Sequence, residues 1–350
     1  MSAQKPTIVI ASPFEEEHVA RIRRVAGNRA EIIHAIDLLP PATYIADHDG
    51  PPDFARHPAD QERWLAILRS ADILFGTPRE AKRDLLGLVP NLKWMQCTSA
   101  GVGKMVERLD LVDTDVIVTT ASGTHAGPLA EFVFAALLSW SRHLGQLRAW
   151  QEDHHWQRFT ADELAGKTMT LIGPGRIGGQ IIRTAAIFGM HTIAVGTTYD
   201  PGRARVLGAD RYIPVGDLRS VLPETDVLVI CAPHTPGTDL LIGTAEFDAL
   251  KRGAWFINIG RGPVVDEPEL IRRLQSGAIA HAALDVFTTE PLPSDSPLWD
   301  LPKVIISPHC SANAPRENER ITDIFCRNLP LFLDGRLSEM SPVLDKHRLY

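Results

Sequence analysis

Three residues stand where an apolar run gives way to a loop: Arg261 after 255–259, Glu290 after 281–286 and His309 after 304–307. An arginine offers a planar fork that can hold a carboxylate and polarise the carbonyl beside it. A histidine can give or take a hydroxyl proton near neutral pH. A glutamate hydrogen-bonded to that histidine favours its charged form, keeping an acid ready to protonate an alkoxide as hydride arrives. The set suits reduction of a 2-oxoacid. Singly, each has a plainer reading: a surface ion pair for Arg261, a loop carboxylate before Pro291 for Glu290, a strand-end cap for His309.

The plainer readings lose ground because the chain also carries a hydride-carrier signature. Residues 170–179 read TLIGPGRIGG, an apolar strand running into glycines spaced GxGxxG and then into a helix start at Gln180. Gly173 permits a tight turn, Gly175 lets the backbone approach a pyrophosphate, and Gly178 lets helix pack on strand while free N–H groups face the anion. A second apolar strand at 191–195 completes the βαβ unit that gives the motif its weight. In doubly wound sheets ligands sit beyond the carboxyl ends of the strands, so Arg261, Glu290 and His309 are expected to converge beside the dinucleotide.

The elements that must position these groups alternate along the chain. Strands are expected at 7–11, 30–36, 73–76, 94–98 and 116–119, with helices between, forming a first α/β domain. The alternation restarts at 168 with strands at 227–232, 255–259, 281–286 and 304–307 as a second parallel sheet. A long apolar helix spans 122–144 and crosses between domains, and a helical segment from about Asn318 to Gly335 returns to the first. The expected division is 1–120 plus 318–350 for a substrate domain and 121–317 for a dinucleotide-binding domain. The fold class is α/β, with two doubly wound parallel sheets. Residues 47–62, polar and proline-rich, form a surface excursion of unreadable function.

At 350 residues two domains are the default, and 44% hydrophobic with 23% charged content is ordinary for a globular chain. Lys plus Arg at 36 against Asp plus Glu at 43 gives −7, which argues against nucleic-acid or anionic-membrane partners. The N-terminus shows no export signal and no stretch spans a bilayer, so an intracellular, cytoplasmic protein is expected. Cys97, Cys231, Cys310 and Cys326 lack CxxC spacing and read as reduced packing thiols. His154 and His155 lie in a polar connector and are read as exposed side chains, so no metal is assigned. Cys310, beside His309, is read as a small packing group and not a nucleophile.

The order and spacing of these motifs resemble the D-isomer-specific 2-hydroxyacid dehydrogenases, including glyoxylate and hydroxypyruvate reductases, over nearly the whole chain. The matching stretches are 98–102, 122–125 through 130–132, the GPGRIG turn, INIGRGPVVD at 257–266, ALDVFTTEPLP at 283–293 and 307–312. The resemblance implies a flavodoxin-like substrate domain and a Rossmann NAD(P) domain. It implies that Arg261 binds the substrate carboxylate and carbonyl, that His309 is the acid/base and that Glu290 partners it. Backbone N–H groups at Ala100, Gly101 and Val102 would meet the carboxylate. Asp285 would hold the nicotinamide carboxamide, Arg176 and Ile177 would line the pyrophosphate, and Ala232, Pro233 and Ile259 the rest of the cleft. A homodimer is implied, with the connector at 145–160 as the exchanged arm. Closure of the two domains is expected to exclude water and bring the carboxylate loop onto Arg261.

The chain departs from the family pattern at three places. A carboxylate is expected at the end of the second nucleotide-domain strand, where it would accept from ribose hydroxyls and repel a 2′-phosphate. Gly196 stands there instead, followed by Thr197 and Thr198, with Arg203 and Arg205 within chain reach. The cofactor expectation is therefore NADP(H) over NAD(H), with Asp200 as the alternative carboxylate. Pro174 stiffens the glycine turn, and Gly103 stands where the family often has aspartate. Arg79 is a candidate to meet an anionic group on the substrate, a plain surface arginine being the alternative. Three other functions remain open: a dinucleotide-sensing corepressor, a formate dehydrogenase, against which Glu290 speaks because that branch pairs its histidine with glutamine, and a phosphoglycerate dehydrogenase.

Overall fold

The structure, a computed structural model, describes residues 5–197, 200 and 202–349. The chain divides into two compact units, Met1–Thr124 with Asn313–Tyr350, and His125–Ala312.

The first unit runs β1 (Thr7–Ile10), α1 (Glu16–Ala26), β2 (Glu31–Ile33), α2 (Pro58–Arg69), β3 (Ile73–Phe75), α3 (Leu85–Leu88), β4 (Trp94–Gln96), α4 (Gly103–Arg108) and β5 (Ile117–Thr119). Every ladder is parallel and the order is β2-β1-β3-β4-β5, the flavodoxin-like arrangement. Buried on both faces, β1 and β3 read as unbroken apolar runs. Ile8 and Ile10 face Val19 and Ile22 of α1, while Val9 faces Trp64 and Leu68 of α2.

The second unit runs α5 (Ala126–Ser141), α6 (Leu144–Glu152), β6 (Thr168–Ile172), α7 (Arg176–Ile187), β7 (His191–Gly196), α8 (Arg203–Leu207), β8 (Arg211–Pro214), β9 (Val227–Ile230), α9 (Thr244–Ala249), β10 (Ala254–Asn258), α10 (Glu267–Gln275), β11 (Ile279–Leu284) and β12 (Val304–Ile306). The sheet is parallel throughout, in the order β12-β11-β10-β9-β6-β7-β8. The order reverses at β6, so the crevice beyond β6 and β9 is the topological switch point where such sheets take ligands. The sequence reading lacked β8, a short edge strand with a proline at its end, and the predicted strand at 30–36 is cut to three residues as the chain tightens into a 3₁₀ turn at Ile36–Leu38.

Finally α11 (Glu317–Leu333) packs in the first unit, where Phe325 stacks on Trp94 with ring centroids 4.6 Å apart. The tail behind it donates from Leu344 N to Val118 O at 2.9 Å and accepts at Pro342 O from Thr120 N at 3.2 Å, which covers the exposed edge of β5.

The excursion is a built structure. The buried carboxylate of Asp47 accepts from Thr43 N, Thr43 Oγ1, Asp49 N and Gly50 N at 2.7–3.1 Å. Burial pushes that carboxyl up, yet these hydrogen bonds outweigh it and hold it below its ordinary value. Arg79 donates to the carbonyls of Asp49, Pro51 and Pro52 at 2.7–3.0 Å. Its guanidinium is therefore a clamp on the excursion.

Candidate active site

The glycine turn fits a pyrophosphate for reasons visible residue by residue. Gly173 has φ +90°, and a Cβ there would lie 2.7 Å from Ala232 N and Cα. At Gly178 a Cβ would come within 2.6 Å of Leu171 Cδ2 and 2.7 Å of Gly173 O, so glycine is what allows α7 to close on β6. Gly175, by contrast, faces open space and precedes α7, whose first turn has no side-chain cap among the described residues. Backbone amides at Arg176 and Ile177 open that helix, where an anion is stabilised by the helix dipole. Ala232 and Ile259 are buried at the ends of β9 and β10, Pro233 is exposed, and a Cβ on Gly260 would press Ala232 O at 2.6 Å. The residues present fit a dinucleotide at the switch point. Among the described residues no group of three or more His, Cys, Asp or Glu could hold a metal.

At the far end of β7, Gly196 and the exposed Thr197 are described, whereas Thr198 lies outside the described residues. Asp200 spends one carboxylate oxygen on the N–H of Gly202 at 2.9 Å, in its own turn.

The chemistry-bearing loops follow β10, β11 and β12. Asn258, buried at the end of β10, accepts from Gly260 N at 3.0 Å and donates to Arg261 O at 3.2 Å, stapling the turn that presents Arg261. Arg261 Nη1 donates to Gly260 O at 2.7 Å. Burial lowers the Arg261 pKa from its ordinary value, and the negative charges of Glu290 and Asp285 nearby oppose that effect. An unsubstituted Gly262 holds the next loop close, since a Cβ there would overlap the carbonyl of Phe287.

Glu290 and His309 meet. His309 Nδ1 lies 2.7 Å from Glu290 Oε2, while Glu290 Oε1 accepts from Phe287 N at 3.0 Å. A carboxylate can only accept, so Nδ1 carries the proton on this side of the ring. Nε2 has no partner among the described residues, and the His309 side chain is 45% exposed.

His309 has φ +53°, a left-handed conformation costing about 1 kcal/mol for a residue with a Cβ. Buried Asp285 pins it there. The Asp285 carbonyl accepts from His309 N at 2.9 Å, and Asp285 Oδ1 accepts from Ser307 Oγ at 2.6 Å and from Cys310 N and Ser311 N at 3.0 Å. Its Oδ2 has no partner among the described residues. Sequence reasoning missed Ser307 and Asn258 as positioning residues; a polar side chain at the last position of an apolar strand was the available signal. Cys310 has its Sγ 3.7 Å from Ser307 Oγ. Burial raises the Cys97 and Cys231 thiols to about 12, where thiolate is scarce.

In the first unit, Val102 is buried at the start of α4, Ala100 is half-buried and Gly101 is exposed beyond β4. Gly103 has a structural reason: a Cβ there would lie 2.5 Å from Leu349 O and 2.6 Å from Leu349 Cβ. An aspartate has no room.

Comparison with known proteins agrees with this architecture. The sequence pattern of the family described as D-isomer specific 2-hydroxyacid dehydrogenase, NAD binding domain, matches residues 134–311. A D-3-phosphoglycerate dehydrogenase of Mycobacterium leprae is 33% identical over 285 residues, 79% of this chain and 52% of its own length. A glyoxylate reductase of Thermofilum pendens is 31% identical over 297 residues, 82% of this chain and 85% of its own. The chain thus spans about half the length of the first of these relatives. An NADPH-dependent glyoxylate/hydroxypyruvate reductase from Sinorhizobium meliloti, solved with NADP and sulfate, superposes with a TM-score of 0.77 at 26% identity, covering 99% of this chain and 100% of that one.

Proposed function

Because the chain belongs to the D-isomer specific 2-hydroxyacid dehydrogenase family, we propose that it reduces a small 2-oxoacid to the D-2-hydroxyacid with NADPH, and catalyses the reverse oxidation. The observation that carries this reading is the 2.7 Å contact between His309 Nδ1 and Glu290 Oε2, on loops beside Arg261 at the carboxyl ends of the dinucleotide-binding sheet.

When bound, the reduced nicotinamide supplies the hydride. Arg261 binds the substrate carboxylate through its fork and polarises the adjacent carbonyl, its partial burial strengthening that interaction. His309 gives the proton at Nε2 to the carbonyl oxygen as negative charge develops there, and Glu290 stabilises the ring in its charged state. Asp285 would hold the carboxamide through its Oδ2. The first unit is the proposed substrate domain, and Ala100, Gly101 and Val102 are its proposed substrate-binding residues.

The choice of NADP(H) over NAD(H) rests on Gly196, which brings no negative charge against a 2′-phosphate, and on Asp200, whose oxygen is engaged in its own turn. The homodimer belongs to the same reading: the arm at 145–160 carries Trp156 at 92% exposure and Leu147 at 41%, apolar area suited to a second copy of the chain. No helix among the described residues is long and apolar enough to cross a membrane. A cytoplasmic location is part of this proposal and does not rest on that absence.

The test is absorbance at 340 nm with NADPH and NADH crossed against glyoxylate, hydroxypyruvate, its 3-phosphate, pyruvate and a bulkier 2-oxoacid. Oxidation of NADPH by one of these supports the reading, and the 3-phosphate as the best substrate would move it towards phosphoglycerate chemistry. Nucleotide binding without turnover on any of them would favour a sensor.

A further inference from the structure

The unforeseen edge strand β8 carries a residue with consequences for the nucleotide. Tyr212 pairs with Ala194 across β7 and β8, and its ring packs on the core beneath α7. From there the phenol runs along β7 towards the carboxyl end of the sheet. A Cβ built on Gly196 would overlap the Tyr212 hydroxyl and lie 2.8 Å from Cζ and 3.2 Å from Cε2. The backbone at 196 is not in the left-handed region, so what a side chain there would meet is the Tyr212 ring end. A carboxylate side chain at 196 would have to displace the Tyr212 hydroxyl from the place it holds.

What replaces the carboxylate is a neutral hydroxyl. The Tyr212 hydroxyl has no hydrogen-bond partner among the described residues and does not count among the buried unpartnered atoms, so its hydrogen-bonding capacity is accessible. A phenol is both donor and acceptor, so it can donate to a phosphate where a carboxylate would repel it. The end of the second strand is where a doubly wound nucleotide domain meets the adenosine ribose.

We propose that Tyr212 sets nucleotide selectivity, its hydroxyl standing against the 2′ substituent of the adenosine ribose and donating to a 2′-phosphate. The assignment rests on the NADP(H) reading above and adds the residue that enforces it. Tyr212 makes the 2′ site neutral twice over, by holding the space an acidic side chain at 196 would need and by supplying a donor in its place.

The test is calorimetric titration of the full chain with 2′,5′-ADP and with 5′-AMP, in wild type and in Tyr212→Phe, which keeps the ring and removes the hydroxyl. The variant is expected to lose roughly tenfold in affinity for 2′,5′-ADP, the weight of a hydrogen bond to a charged group, and less than about twofold for AMP. A wild type that binds AMP as tightly as 2′,5′-ADP contradicts the NADP(H) reading itself. The Tyr212 assignment is overturned separately, whatever the wild-type preference, if Tyr212→Phe leaves the ratio of the two affinities within about twofold of the wild-type ratio. A second variant, Gly196→Asp with Tyr212→Ala, restores the carboxylate and clears the overlap. It is expected to keep AMP and reject 2′,5′-ADP; wild-type affinity for 2′,5′-ADP in that double variant would also overturn the assignment.

Discussion

Asp285 and His309 are joined through the backbone, the Asp285 carbonyl accepting from His309 N at 2.9 Å, while the Asp285 side chain gathers Ser307, Cys310 and Ser311 around the same turn. One buried residue thus fixes the left-handed conformation of the proposed acid, while its second carboxylate oxygen has no partner among the described residues. Replacing Asp285 by Ala orphans Cys310 N and Ser311 N, and is expected to cost about 2–4 kcal/mol of stability by urea unfolding. Turnover at saturating substrate should fall at least tenfold even at temperatures where the variant is fully folded. Wild-type turnover in a folded Asp285→Ala would separate the turn from the chemistry.

Gly262 is expected to be intolerant of any side chain. Gly262→Ala puts a methyl group from the Arg261 loop into the carbonyl of Phe287, in the loop presenting Glu290. The overlap should destabilise the fold by about 1–3 kcal/mol. It should also raise KM for the oxoacid more than the Kd for nucleotide, since the glycine turn at 173–178 is untouched. Equal effects on both would mean that the loops move together.

Arg79→Ala should release the excursion. Three hydrogen bonds to carbonyls disappear, worth about 1–3 kcal/mol together, and amide exchange across 47–57 should accelerate while exchange in β1 and β3 does not. Unchanged exchange across 47–57 would show that Asp47 alone suffices to hold the segment.

His281 predicts a pH dependence of stability. Burial lowers its pKa from 6.5 to about 4, with the positive charges of Lys303 and His143 adding to the effect and Asp162 opposing it. The ring stacks on Trp140 at 5.1 Å. The folded form stays neutral where the unfolded chain takes up a proton, so this contribution is complete above pH 6.5 and is lost as pH falls towards 4. Its size is about 2 kcal/mol, discounted for the partial exposure of the ring. His281→Phe should flatten the fall in urea midpoint between pH 7 and pH 5 relative to wild type; parallel curves would contradict the assignment.

Much of this was legible in the sequence because parallel strands buried on both faces are unbroken apolar runs, and because glycines at a close approach leave a fixed spacing. The α/β class and the paired sheets followed from those signals. Strand β8 did not, since only Tyr212 and Ile213 in it are large and apolar, too few for any period to show. Gly196 drew notice as a missing carboxylate, but the Tyr212 hydroxyl that fills the space beside it comes from a neighbouring strand, and no local pattern links the two. The Arg79 clamp was illegible for a similar reason: backbone carbonyls accept hydrogen bonds without leaving a trace in residue type. The same is true of the turn around His309, where two of the groups held by Asp285 Oδ1 are main-chain N–H donors.

The most direct test of the central claim is a single-turnover measurement at 340 nm, mixing NADPH-loaded protein with the best oxoacid, for wild type and His309→Ala. The account predicts that the variant binds NADPH within a few-fold of wild type while its hydride-transfer rate falls by about 10²–10⁴. A His309→Ala variant that oxidises NADPH at the wild-type rate would contradict it.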